Sequence, residues 1–585
     1  MDTQEIKRKA EEYISLEQDT EFRQDVENLV EKEKWEELND RFYTELAFGT
    51  GGLRGVIGGG YNRINPFMIN RATQGLANYI RKAADENNPK AVIAYDSRRY
   101  SDTFALAAAL VLAGNGIQTF LFSSLRATPE LSFAVRKLDA TAGIVVTASH
   151  NPPEYNGYKV YWSDGGQIVP PHDKGIIEEV YKVSTEITSM DKEEALKKGM
   201  LKIIDKEIDN AFVEMIKKQS IRPQLVAEKG KDLKVVYTPL HGTGAMPVER
   251  IFSEMGIEVI TVPEQREPDG NFPTVDFPNP EENSAMQMAL DLGKVKNADI
   301  VMGTDPDSDR IGIAVPDKKG KYILITGNQL GALLTDYIFK GKKEAGTLPD
   351  RPAFIKTIVT TDLQRRIAES YGAECYDVLT GFKYIGEKIR EFENQDNGPS
   401  YVFGGEESYG FLIETEARDK DAVSAAYITA EMALYHRSNG RSLLDALNQL
   451  YKDYGYFKEI LVSKYFKGQS GKETMNNLMK QLREETPKTF GGQDISVLKD
   501  YKTGETTDMK TESKRKDIDL PTSNVIQFIL TDGSIITARP SGTEPKIKFY
   551  ASSMTEVKDD LDKAKEVVEE KISKIQNEIN SLIPD

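Results

Sequence analysis

The segment Thr147-Ala148-Ser149-His150-Asn151-Pro152 places one serine on a tight polar turn directly after an apolar run, Ala142 to Val146. A short buried strand that ends in such a turn lifts a side chain clear of the backbone. A serine hydroxyl is a poor nucleophile alone, so phosphoryl chemistry at Ser149 requires groups that neutralise phosphate charge. Two further segments supply them. Asp305-Pro306-Asp307-Ser308-Asp309-Arg310 lies between the apolar runs Ile300 to Met302 and Ile311 to Val315. Three carboxylates at alternate positions of an extended loop point to one side, where they meet a single hard cation. A calcium loop of the EF-hand kind fails on spacing: counted from Asp305, Arg310 stands at the glycine position and Pro316 at the glutamate position. A solvated acidic turn is the other alternative, and it leaves three close carboxylates repelling one another. Ligands that are all oxygen favour Mg2+ over zinc. The second segment, Arg539-Pro540-Ser541-Gly542-Thr543-Glu544-Pro545-Lys546, combines an arginine fork, hydroxyls and glycine-freed N–H groups, the usual parts of a phosphate cradle. Taken alone it also fits an ordinary Pro/Gly turn.

In these three segments together the chain resembles the α-D-phosphohexomutases, and their phosphoglucomutase branch in particular. Four family motifs occur in the family's order: the serine loop at Thr147 to Pro152, the metal loop at Asp305 to Arg310, the sugar loop Gly405-Glu406-Glu407-Ser408-Tyr409-Gly410, and the phosphate loop at Arg539 to Lys546. Phe48-Gly49-Thr50-Gly51-Gly52-Leu53-Arg54-Gly55 is similar to the family's N-terminal signature. The resemblance implies an α/β fold of four domains around a central cleft, three related mixed α/β domains and a smaller C-terminal α+β domain. The expected limits are an N-terminal helical extension over 1–40, then domains over 41–205, 206–320, 321–454 and 455–585. The boundaries rest on polar or turn-rich stretches near Lys192 to Lys206, Asp317 to Lys321 and Lys452 to Tyr456.

The order of elements agrees with this. Ala91 to Ala94 reads as a strand, followed by a helix from about Ser101 and a strand over Gln118 to Phe122, an alternation that indicates α/β units. Asp500 to Asp517 is highly charged and reads as a surface loop. Apolar residues at Val557, Leu561, Ala564, Val567, Val568, Ile572, Ile575 and Ile579 predict an amphipathic helix that covers a sheet. The 585 residues carry a net charge of −17, which argues against nucleic acid or an anionic membrane as the main partner. An acidic protein that handles phosphate concentrates its positive charge locally, and Arg54, Arg98, Lys159, Arg310, Lys383, Lys420, Arg539 and Lys546 lie in or beside polar loops. The single cysteine, Cys375, excludes an internal disulfide and fits a reducing compartment. The N-terminus lacks the basic and apolar regions of a signal peptide, and the longest apolar stretch, Phe104 to Ala113, is too short to span a bilayer. A soluble, cytoplasmic protein is expected, with monomer and dimer both compatible.

The resemblance implies a mutase in which Ser149, as phosphoserine, exchanges phosphate with a hexose phosphate. Mg2+ on Asp305, Asp307 and Asp309 takes a phosphoryl oxygen of Ser149 as a further ligand, and glucose 1,6-bisphosphate is the intermediate. Arg310 and Arg54 add charge at the reacting group. The lysine of Asn156-Gly157-Tyr158-Lys159 matches the family's acid/base neighbourhood; it serves as a base only if its pKa is lowered, and phosphate pairing is its alternative. His150 is a second candidate base, although adjacent side chains on a turn usually point apart, which leaves it an orienting role. His241 touches substrate or shapes a glycine turn, with the turn preferred. His172 and His436 have no chemical context. The Arg539 loop, with Ser541, Gly542, Thr543 and Lys546, anchors the phosphate that is not reacting. Glu406 and Ser408 read sugar hydroxyls, while Glu407 points away if the loop is extended. Thr380, Lys383 and Lys420 match other substrate contacts of the branch. Tyr409 stands where the phosphomannomutase branch more often has glycine followed by histidine, which favours glucose phosphate. Phosphopentomutase or phosphomannomutase activity and bisphosphate synthesis remain alternatives; a silent sugar-phosphate sensor is disfavoured because Ser149 and all three aspartates are kept.

Overall fold

The computed structural model describes residues 2–84, 88–466, 468–541, 546–558 and 560–583. The chain packs into two compact units, one of Met1–Gly327, Phe382–Phe403 and Ser408–Asn439, the other of Asn328–Gly381, Gly404–Glu407 and Gly440–Asp585.

Three helices, Thr3–Leu16, Thr20–Glu31 and Trp35–Phe42, open the first unit. Asp19 starts the second of them by accepting from the N–H groups of Glu21 and Phe22, an aspartate N-cap. A six-stranded sheet follows, in the order Gly52–Val56, Tyr155–Trp162, Ala142–Val146, Lys90–Tyr95, Gln118–Phe122, Leu201–Ile204. Its last four strands run parallel, and Tyr155–Trp162 is antiparallel to both of its neighbours. All five residues of Ala142–Val146 are buried, which is why this strand reads as a continuous apolar run. Helices Ser101–Gly114 and Thr128–Lys137 pack on the sheet.

A second sheet of this unit has the order Tyr322–Ile325, Ile311–Pro316, Ile300–Thr304, Lys234–Thr238, Glu258–Thr261. Ile300–Thr304 and Ile311–Pro316 are antiparallel, with Thr304 opposite Ile311, so the carboxylate segment is the connection between them. Tyr322–Ile325, just past the expected boundary at 320, pairs with Ile311–Pro316 and stays on this sheet.

In the second unit, Pro352–Thr357 and Glu374–Val378 pair in parallel, and Cys375 lies in the latter strand. Burial pushes the Cys375 thiol up to about 12, as expected of a packing residue. The C-terminal sheet is antiparallel, in the order Tyr456–Tyr465, Lys546–Thr555, Ile535–Pro540, Ile526–Leu530, Gln493–Asp500, Glu505–Asp508, Lys514–Arg515. The segment 500–517, expected as a surface loop, therefore carries two short strands at the sheet's edge. Glu505–Asp508 buries only Thr506 and the edge strand Lys514–Arg515 is exposed, so neither needs apolar residues and their composition resembles that of a loop. Helix Leu561–Leu582 packs on Tyr456–Tyr465 and Lys546–Thr555, burying Ala564, Val568, Ile572, Ile575 and Ile579. Mixed α/β sheets followed by a β-rich C-terminal region match the expected fold class. Among the described residues no helix is long and apolar enough to cross a membrane.

Candidate active site

Ser149 sits where the buried strand Ala142–Val146 gives way to its turn, with φ at 51°, in the left-handed region that a serine rarely occupies. Its neighbours hold it there. The Ser149 N–H donates to Thr147 Oγ1 at 2.8 Å, and that hydroxyl donates to Asp96 Oδ2 at 2.6 Å. Arg98, 3% exposed, donates to three carbonyls of the same loop, Ser149 at 2.5 Å, Asn151 and Pro152 at 2.8 Å, and to that of Tyr155, where the next strand begins, at 3.0 Å. Asp96 in turn accepts from the Arg98 N–H and from Ser101 Oγ. From the sequence Arg98 is one of several cations in polar loops; here it is a clamp on the serine loop. Nothing in its local spacing signals carbonyls more than fifty residues away.

The left-handed serine also makes His150 an exception to the rule that adjacent side chains on a turn point apart. Its Nδ1 lies 3.2 Å from Ser149 Oγ, so these adjacent side chains converge. Burial, with Arg310 and Arg54 behind it, holds the His150 pKa well below the ordinary imidazole value. A neutral ring beside the hydroxyl can accept its proton. Arg54 Nη1 donates to Asn151 Oδ1 at 3.1 Å, on the same loop.

The carboxylate segment converges by a turn rather than by strand alternation. The Ser308 N–H closes onto the Asp305 carbonyl at 2.9 Å, and Ser308 takes φ of 55°. Asp305, Asp307 and Asp309 are at most 2% exposed and present oxygens all within 4.8 Å of one another. Asp305 Oδ1 accepts from the N–H groups of Asp309 and Arg310, and its Oδ2 accepts from Ser149 Oγ at 2.6 Å. Asp307 Oδ2 accepts from Thr128 Oγ1 at 2.9 Å and Lys159 Nζ at 2.8 Å. Asp309 Oδ2 lies 3.3 Å from Lys159 Nζ and 3.1 Å from Lys420 Nζ. Asp307 Oδ1 and Asp309 Oδ1 are buried without a hydrogen-bond partner. Two orphaned carboxylate oxygens inside an all-oxygen triad fit a hard divalent cation.

Charge is distributed unevenly over the triad. Burial, then Asp307 and Asp309, push the Asp305 pKa well above the ordinary range. For Asp309 burial acts in the same direction, but Lys420, Lys159 and Arg310 outweigh it and hold the carboxyl below that range. Burial alone would lower the Lys159 pKa, but Asp307 and Asp309 more than offset it and leave the ammonium above the ordinary lysine value. Without a cation in the triad, the Lys159 amine pairs with Asp307 and Asp309. Lys420 is brought into the same cluster and also meets Asp419 Oδ1 at 3.0 Å. Arg310 Nη1 pairs with Glu281 at 2.7 Å, with its Nε 3.9 Å from Asp309 Oδ1. Lys383 Nζ donates to the Thr50 carbonyl at 3.2 Å.

The metal loop is backed by the glycine turn after strand Lys234–Thr238. The Thr243 N–H donates to the Pro306 carbonyl at 2.8 Å, and Thr243 Oγ1 lies 2.9 Å from Ser308 Oγ. A Cβ on Gly242 would stand 2.3 Å from Pro306 Cα. His241 Nε2 meets Thr274 Oγ1 at 2.9 Å, bracing this turn as preferred from the sequence. His172, without context in the sequence, stacks on Trp162 with ring centroids 4.2 Å apart.

The remaining expected site residues have local settings of their own. Ser408, half-buried, belongs to the first unit. In the second unit Glu406 Oε1 accepts from the Gly381 N–H at 2.9 Å, next to half-buried Thr380. Glu407 turns instead to the Thr357 and Thr360 hydroxyls, at 3.2 and 3.3 Å, and burial with the Glu406 charge pushes its carboxyl up to about 7. Arg539 is the penultimate residue of the strand Ile535–Pro540, opposite Lys548 of the next strand. The Ser541 N–H donates to the Lys546 carbonyl at 2.7 Å, and Lys546 Nζ donates to the Tyr465 hydroxyl at 2.7 Å. Gly542 and Thr543 lie outside the described residues.

Comparison with known proteins bears on this arrangement. Descriptions of phosphoglucomutase/phosphomannomutase alpha/beta/alpha domains I, II and III match residues 45–186, 210–320 and 326–454. A phosphoglucomutase of Staphylococcus epidermidis is 37% identical over 532 residues, covering 90% of this chain and 94% of its own. One of Staphylococcus saprophyticus is 35% identical over 540 residues, covering 92% and 95%. Among solved structures, the open form of parafusin, a phosphoglucomutase of Paramecium, superposes with a TM-score of 0.68 at 17% identity, covering 92% of this chain and 94% of that one. A family protein of Burkholderia thailandensis gives 0.65 at 19% identity, covering 92% and 98%. At such identities the structural likeness concerns the fold. The sequence matches reach further, because they run through the serine and carboxylate loops in order, and on them the chain belongs to the phosphoglucomutase/phosphomannomutase family.

Proposed function

We propose that this chain interconverts glucose 1-phosphate and glucose 6-phosphate through a phosphoserine at Ser149 and a glucose 1,6-bisphosphate intermediate. Relatives named phosphoglucomutase at 35–37% identity support the reaction class. The observation that carries the reading is the 2.6 Å hydrogen bond from Ser149 Oγ to Asp305, made inside a buried triad with two orphaned oxygens.

Asp305, Asp307 and Asp309 would hold Mg2+, together with an oxygen of the serine phosphate. When bound, the cation supplies charge neutralisation at the phosphoryl group. The chain's own residues do the rest. Ser149 carries the phosphate, first as leaving group and later as nucleophile. Arg98 fixes the serine by its carbonyl, so the hydroxyl is presented without reorganisation at each turnover. Neutral His150 accepts the Ser149 proton at Nδ1 when the serine attacks. Lys159, protonated, holds a proton at Nζ beside the triad, where it can be given to a leaving oxygen. Arg54 and Arg310 add positive charge at the transferred group. Arg539, Ser541, Gly542, Thr543 and Lys546 hold the phosphate that is not reacting. Glu406 and Ser408, with Thr380, Lys383 and Lys420, read the sugar. Incubation with glucose 1,6-bisphosphate followed by peptide mass spectrometry tests the carrier: phosphate on Ser149, together with glucose 1-phosphate turnover, is expected. Phosphate on another residue would refute it.

A further inference from the structure

The N-terminal helices lie before the matched family domains, which begin at residue 45, yet one of them touches both supports of the serine loop. The helix Thr20–Glu31 packs its backbone against Gly59, where a Cβ would stand 2.5 Å from the Phe22 carbonyl. Asp25 Oδ2 accepts from the Gly59 N–H at 3.0 Å and from Arg41 Nη1 at 2.5 Å, and Arg41 also donates to the Gly59 carbonyl at 3.1 Å. Gly59 lies just beyond strand Gly52–Val56, which presents Arg54 to Asn151. That is the first route to the serine loop.

The second route runs through Tyr100. Phe22, 3% exposed, meets the Tyr100 ring edge-on with centroids 5.1 Å apart, and the Tyr100 hydroxyl hydrogen-bonds Glu21. Tyr100 takes a left-handed φ of 64° at the start of helix Ser101–Gly114, two residues after Arg98. The turn is tied to the strand after the serine loop by Asn156 Nδ2, which donates to the Arg99 carbonyl and Ser101 Oγ at 3.0 Å each. A tyrosine held against its conformational preference by aromatic packing sets the backbone from which Arg98 grips Ser149 and Asn151.

We propose that Glu21, Phe22 and Tyr100 are positioning residues for phosphoryl transfer, and that the N-terminal helices brace the serine loop through Arg98 and Gly59. The proposal rests on Ser149 as phosphate carrier. None of the three is among the residues assigned to substrate or metal; they act by keeping the Arg98 clamp in place, so their loss lowers the rate of serine phosphorylation rather than substrate affinity.

Full-length Phe22→Ala and Tyr100→Phe are compared with wild type and with Arg23→Ala, whose exposed pairing with Glu27 on the same helix serves as the control. The readouts are the rate of Ser149 labelling by glucose 1,6-bisphosphate, kcat and KM for glucose 1-phosphate, and the melting midpoint. Phe22→Ala is expected to slow labelling and kcat about ten- to a hundredfold, with KM little changed, well below its melting midpoint. Tyr100→Phe removes only the hydroxyl contact and is expected to slow them about two- to tenfold, so it decides the matter if Phe22→Ala fails to fold. Arg23→Ala keeps the wild-type rate. A lower melting midpoint with wild-type labelling and kcat would mean a purely structural role and overturn the brace. Absence of label on Ser149 in the wild type would sink the mutase reading and the brace together, whereas equal labelling in all four proteins overturns the brace alone.

Discussion

The reaction centre around Ser149 and the hairpin bearing Arg539 are assigned the same kind of anion, but they are built differently. Ser149 and the three aspartates are at most 3% exposed, and their oxygens are held by backbone N–H groups, Thr128, Lys159 and Lys420. Arg539, Ser541 and Lys546 are only half-buried, and Lys546 rests on an exposed tyrosine, Tyr465. A centre where bonds break gains from donors fixed in advance, because reorganisation during the reaction adds to the barrier. A group that steadies a passive phosphate needs charge and access, and a mutase presents it with each phosphate in turn.

The contrast predicts unequal damage. The largest effect belongs to the centre: Ser149→Ala, or alanine at any one of Asp305, Asp307 and Asp309, should lower kcat by several orders of magnitude, and the aspartate losses should not add. Chelation should match them and Mg2+ reverse it; additive losses in double mutants would break the picture of one shared site. Next comes Arg98→Ala, which takes the guanidinium counter-charge, 3.4 Å away, from buried Asp96 and the donors from four carbonyls. A stability loss of about 3–5 kcal/mol in chemical denaturation is expected, together with slower turnover. Arg539→Ala, half-buried, should leave stability within about 1 kcal/mol and instead raise KM for glucose, mannose and ribose monophosphates alike. Ser408→Ala should change their ranking by roughly 2- to 13-fold, the worth of one neutral hydrogen bond. Equal effects of these two on every sugar would erase the division between anchoring and reading.

The smallest effect is a pH dependence in the second unit. Glu407 binds its proton more tightly when folded, its pKa pushed up to about 7 from an ordinary 4.5 by burial and then by Glu406. Its contribution to stability is therefore complete below the lower value and lost as pH rises through the higher one. The limiting slope between them is about 1.4 kcal/mol per pH unit. Glu459 is also raised to about 7, so the informative quantity is the difference between proteins. Denaturation midpoints of Glu407→Gln measured from about pH 5 to about pH 8 should fall less steeply than those of the wild type.

Local pattern carried much of this molecule. The strand before Ser149, the carboxylate segment between two strands and the helix Leu561–Leu582 were all legible, because burial imposes runs and periods on the sequence. What escaped was set by backbone sign and by distance along the chain. A positive φ at Ser149 turned His150 toward the hydroxyl, and one at Ser308 made a turn of an apparently extended loop. The Arg98 clamp and the pairing of Lys159 with Asp307 join residues far apart in sequence, where no spacing rule applies. The edge strands within 500–517 were masked by a solvated composition.

Gly242 neither carries charge nor meets the serine, yet it limits what its position can hold. With Pro306 Cα only 2.3 Å from where a Cβ would stand, any substitution at 242 displaces the loop that holds Asp305, Asp307 and Asp309. The atoms in the way are backbone, Pro306 Cα, O and C at 2.3, 2.6 and 2.8 Å, so no exchange of the side chain at 306 makes room. The aspartates are thus guarded twice: directly by the chemistry they perform, and indirectly by a hydrogen atom that no heavier substituent can replace.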